Sequence, residues 1–126
     1  MRYHDVKRLT KEEVESIMDR CRPEELAEVP IAVSLYDSNS RWAQLICINL
    51  SCHSNPTVRG NAVLGFGHLA RRFGKLDFLE IIKGLVEDAL EDSDQYVRGQ
   101  ANAAADDFEH FLACRVTRRN QDQSAP

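Results

Sequence analysis

Ser54-Asn55-Pro56-Thr57-Val58-Arg59-Gly60-Asn61-Ala62 and Ser93-Asp94-Gln95-Tyr96-Val97-Arg98-Gly99-Gln100-Ala101 are the same phrase written twice, 39 residues apart. The agreement runs outward in both directions. Past the phrase, Phe66 falls on Ala105, Leu69 on Phe108 and Phe73 on Leu112. Ahead of it, Trp42 falls on Ile81, Ile46 on Leu85 and Leu50 on Ala89. The downstream positions recur every three or four residues, which places them on one stripe of a helix. A unit of this length holding two helices and a capped turn predicts stacked helical hairpins.

The rest of the chain reads as helix and turn, with no long period-two alternation to argue for a sheet. Thr10 and Glu13 form a capping box for a helix to about Cys21. Pro23 suits the first turn of a helix over 23–36, and Pro30 ends, kinks or restarts it. Asp37-Ser38-Asn39-Ser40 is a turn and cap cluster. The segment from Arg41 to Cys52 is apolar on nearly every side, as in a helix sandwiched between neighbours. Asn55-Pro56 opens a helix that Gly74 ends. Helices over 76–90 and from Ser93-Asp94 to about Arg115 complete the series. The predicted organisation is one domain over 1–115, with a degenerate first hairpin at 10–36 and repeats at 40–73 and 76–115. Residues 116–126, poor in large apolar side chains, predict a mobile tail.

The combination of two apolar helices, a polar turn ending in Asn or Asp, and then Val-Arg-x-x-Ala resembles the HEAT repeat. It is carried by Asn55, Val58, Arg59 and Ala62, and again by Asp94, Val97, Arg98 and Ala101. The resemblance implies an all-α, right-handed α-solenoid of about three hairpins. In such repeats the valine packs between paired helices and the arginine reaches turn acids of the next unit. The longer run from Arg41-Trp42-Ala43-Gln44 through Gly65-Phe66-Gly67-His68-Leu69-Ala70-Arg71 to Ala105-Asp106-Asp107 is similar to short bacterial HEAT-like proteins. Some of these look like immunity partners of toxins in contact-dependent inhibition systems, which implies neutralisation by binding.

Charge is unevenly spread over the 126 residues, whose net charge is −4. Residues 41–75 hold five basic side chains and no acid, whereas 76–112 hold ten acids and two bases. The second segment suits a basic protein partner and not nucleic acid. No stretch of about 18 apolar residues occurs, and the charged first 21 residues do not read as a secretory signal. A cytoplasmic protein with no membrane partner is expected, with a monomer favoured. Cys21, Cys47, Cys52 and Cys114 lack metal-ligand spacing and read as reduced, mostly buried thiols.

The resemblance to HEAT arrays implies that the second helices line the concave face, where partners bind. The register sets His68 level with Asp107 and Arg71 level with His110, so His68, Arg71, Asp106, Asp107 and His110 are candidate partner-binding residues, with Trp42 as a possible anchor. A His facing an Asp also fits a general base, but no Ser or Cys nucleophile stands at a matching position. A metal would need His68, Asp107 and His110 to converge. No cofactor is expected. Gly65 and Gly67 imply close approach to the helix backbone, by packed helices or by a ligand laid across Gly67. The leading function is an immunity protein that binds a basic, nuclease-type toxin without catalysis. The alternatives are a HEAT-like adaptor, or an enzyme of bilin-lyase or DNA-base-repair type.

Overall fold

The structure, a computed structural model, describes residues 6–118. Seven helical segments and no strand occur among them: α1 (Lys11–Arg20), α2 (Pro23–Leu26), α3 (Val29–Tyr36), α4 (Ser40–Leu50), α5 (Pro56–Phe73), α6 (Leu79–Ala89) and α7 (Gln95–Phe111). They stack as hairpins in a solenoid-like array. α4 pairs with α5 and α6 with α7, while α5 packs along α3 on one side and along α7 on the other.

The local signals act as their chemistry requires. Thr10 and Glu13 complete the capping box of α1. Asn39, Asn55 and Asp94 each accept backbone N–H groups at the starts of α4, α5 and α7. Gly74 ends α5 with a φ of 67°, a left-handed conformation that glycine adopts without a Cβ penalty. Pro30 restarts the chain: the break falls at Ala27-Glu28, and the proline sits in the first turn of α3, where it removes no helical hydrogen bond.

Two boundaries differ from the sequence reading. α6 begins at Leu79, because residues 76–78 form a connection whose Phe78 N–H donates to the buried Gln44 Oε1 (3.1 Å). α7 ends at Phe111, because Ala113 turns left-handed (φ 50°) and reverses the chain, with Cys114 N–H donating to Phe108 O. The reversal overturns the start of the mobile tail at residue 116. Val116 is buried in the core, Thr117 N–H donates to Glu87 Oε2 (3.0 Å), and Arg118 meets Asp106 (2.6 Å). Residues 119–126 lie outside the described residues. The thiols also differ from expectation: Cys47 alone is buried, Cys21 and Cys52 are exposed, and Cys114 is half-buried.

The stripe residues Val58, Ala62, Phe66, Leu69, Val97, Ala101, Ala105 and Phe108 are all fully buried. Glycine sets how closely the layers meet. A Cβ at Gly60 would come 2.7 Å from the Tyr96 ring, and one at Gly65 would come 2.9 Å from Cys47 Sγ. Arg59 links consecutive hairpins. Its guanidinium donates twice to Asp92 in the α6–α7 turn (2.8 Å each) and also to the carbonyls of His53 and Ser54. This bidentate geometry fixes both partners far better than a loose surface pair. Leu69→Ala should therefore cost about 2–5 kcal/mol, as for other buried truncations. Urea unfolding followed by circular dichroism measures it, and a loss below about 1 kcal/mol would contradict this packing.

Candidate partner-binding surface

Burial of α5 decides what the six candidate residues can do. Every residue from Gly60 to Ala70 is buried, so α5 does not form half of an open concave face as the hairpin register suggested. His68 is 3% exposed and offers no surface to a partner. Arg71 Nη2 donates to its Nδ1 at 3.0 Å, which makes the imidazole a buried post for an exposed guanidinium. An Nδ1 that accepts this bond cannot also hold a proton. Burial, reinforced by the charges of Arg71 and Arg72, lowers the His68 pKa to about 4.

Asp107 is half-buried on α7 and lies over Gly67, whose missing side chain makes room for it. A Cβ there would stand 2.6 Å from Asp107 Oδ2 and 3.2 Å from Ala104 Cα. The space above Gly67 is thus filled from within the chain. Desolvation raises the Asp107 pKa; Arg71 and His110 oppose the shift, and Asp106 adds to it. His68, Arg71, Asp107 and His110 therefore form one neighbourhood at the α5–α7 seam. His110 is exposed and stacks edge-on against Phe111, with centroids 4.5 Å apart. Asp106 points away and is held by Arg118, which also approaches Glu109 (3.9 Å). Trp42 is separate from these, half-buried against the core from α4. Among the described residues no three His, Cys, Asp or Glu side chains could hold a metal ion, so His68, Asp107 and His110 do not converge as ligands.

Several acids of the 76–112 segment are committed to the fold. Asp92 holds Arg59, Asp94 caps α7, and Asp77 meets Arg41 (3.4 Å). The outward acids lie on α6 and α7, with Glu80, Asp88, Asp106 and Glu109 all exposed. The sequence reading missed three features here. Gln44 and Asn61 are buried polar ties: Asn61 Nδ2 donates to Ala27 O (2.8 Å) and its Oδ1 accepts from the Tyr96 hydroxyl. Arg118 was missed because no turn residue announces the reversal at Ala113. Large apolar side chains also remain exposed on α4 and α6, at Leu45 and Ile81.

No protein-family model matches the chain, and no curated protein matches it. Among solved structures it is similar to a chain of the crystal structure of a CDI complex from Cupriavidus taiwanensis LMG 19424. The two are 26% identical with a TM-score of 0.74, and the match covers 88% of this chain and 97% of that one. No helix among the described residues is long and apolar enough to cross a membrane.

The buried imidazole also gives the fold an acid limit. Unfolded, His68 takes up a proton near its ordinary pKa of about 6.5; folded, it resists until about 4. Its contribution is complete above pH ~6.5 and is lost as pH falls toward ~4, up to about 3 kcal/mol. Unfolding free energies between pH 7 and 4.5 should show this fall in the parent and a flatter profile in His68→Gln. Parallel profiles would contradict the assignment.

Proposed function

We propose that this chain is an immunity protein, a HEAT-like module that binds and neutralises a basic, nuclease-type toxin of a contact-dependent growth inhibition system in the cytoplasm. The observation that carries the reading is the likeness to a chain of a CDI complex over nearly the whole of both chains. The acidic C-terminal hairpin supports it. Outward carboxylates on α6 and α7 present negative potential to a basic domain, speed its capture, and occupy the groups with which a nuclease would hold phosphates. On this reading the chain acts by binding alone, as a monomer, without cofactor or nucleic acid.

Of the six candidate contact residues, Trp42, Arg71, Asp106, Asp107 and His110 retain surface for a partner, and only His68 is sealed. Asp106 and Asp107 already have partners within the fold, in Arg118 and the Gly67 hollow, so their proposed role is steering and rim contact. Rim charges act mainly on association rate.

The test pairs this chain with the toxin domain encoded beside its own gene. Co-expression should restore growth to cells making that toxin, and the purified proteins should bind with an association rate that falls as salt rises. Asp106→Asn with Asp107→Asn should slow association about three- to tenfold and flatten its salt dependence, with little change in dissociation. Growth arrest that persists on co-expression, with no binding at low salt, would exclude the immunity role.

A further inference from the structure

Ile81 is the most exposed large apolar side chain among the described residues, at 56%, and Leu45 follows at 47%. The other two of this kind, Tyr96 and Phe111, are engaged within the chain. The Tyr96 ring lies on Gly60 and its hydroxyl is held by Asn61, while Phe111 stacks with His110. Ile81 belongs to a stripe on the outer side of α6 with Gly84 and Asp88, spaced three and four residues apart. Gly84 is the odd member. It sits in the middle of α6, where glycine weakens a helix relative to alanine. Beyond its own helix backbone, no heavy atom of the described residues lies within 4 Å of the place a Cβ would take, in contrast to Gly60, Gly65 and Gly67, where the fold presses on the backbone. Nothing among the described residues requires this glycine.

Beside the stripe is a shallow hollow of about 250 Å³ lined by Asp77, Phe78, Leu79, Glu80 and Ile81. Arg41 lies against two of the lining residues, with its guanidinium 4.8 Å from the centre of the Phe78 ring and 3.4 Å from Asp77. Leu45 follows one turn along α4. An apolar spot with a bare stretch of backbone and an acidic margin has the anatomy of an interface centre: an anchor, room for close approach, and a charged rim.

We infer that the outer face of α6, centred on Ile81 and Gly84, is where the basic toxin domain docks. The inference rests on the immunity reading and adds the surface to it. The toxin sets an apolar side chain into the hollow, lies against the α6 backbone at Gly84, and places basic groups beside Glu80 and Asp88. Charge complementarity selects this occupant, because Glu80 and Asp88 are exposed on α6 against its one base, Lys83, and suit a cationic surface.

Glycine makes the test separable from folding. Gly84→Ala should raise the melting temperature yet weaken binding of the neighbouring toxin domain by about fivefold or more, and Gly84→Leu by about fiftyfold or more. Ile81→Ala, at an exposed position, should leave melting unchanged and weaken binding about tenfold. Gly99→Ala is the control, an equally open glycine on α7. It should raise the melting temperature and leave binding within about twofold of the parent. Calorimetric titration and thermal melts read all four. If Gly84→Leu does not fold, Gly84→Ala and Ile81→Ala decide. Parent-like affinity in the folded Gly84 and Ile81 variants would overturn the docking face while leaving the immunity reading intact. A parent protein that does not bind the toxin would overturn both.

Discussion

The seating of α5 between α3 and α4 on one side and α7 on the other controls most of what this molecule does. Small residues permit it. At Gly60 and Gly65 the neighbouring side chains stand where a Cβ would be, so the layers close to a distance that no larger residue allows. With α5 sealed, polar groups caught inside must be satisfied there. Asn61 ties α5 to the carbonyl of Ala27 and to Tyr96, Gln44 meets the α5–α6 connection, and Arg59 secures the next turn through Asp92. These bonds are few but costly to lose, because each removed partner leaves a polar group without water.

That arrangement also moves the functional surface. A hairpin stack suggests a concave face built from its second helices, but here the second helix of the middle hairpin is the core of the protein. His68 becomes a neutral support for Arg71, and Asp107 fills the hollow over Gly67. The outside of the last hairpin carries most of the acids of the 76–112 segment, and they are not all alike. Asp92 and Asp94 serve the fold, whereas Asp77, Glu80, Asp88, Asp106 and Glu109 are exposed. On the proposed reading, this outward charge is what meets the basic surface of a toxin.

Much of the architecture was legible in the chain because its signals are local. Caps at Thr10, Asn55 and Asp94, the stop at Gly74 and the matched stripe from Val58 to Phe108 each follow from spacing and side-chain chemistry. The site was less legible because burial is a tertiary property. The stripe told which residues of α5 face inward, but not that Val63, Leu64 and His68 on its other sides are covered as well. The docking of Val116 depends on a left-handed Ala113, a conformation no alanine advertises. Gly84 could not be told from Gly67 in sequence. Only the open space around the one and the carboxylate above the other separate them.

Amide hydrogen exchange on the complex tests the central claim most directly, that a toxin is held on the outer surface of the last hairpin. Amides of α5 should exchange slowly with or without partner, since residues 60–70 are already buried. Binding should slow exchange most across α6, from Leu79 to Ala89, and on the neighbouring outer side of α7. Protection confined to α1–α3, with α6 exchanging as in the free protein, would contradict the account.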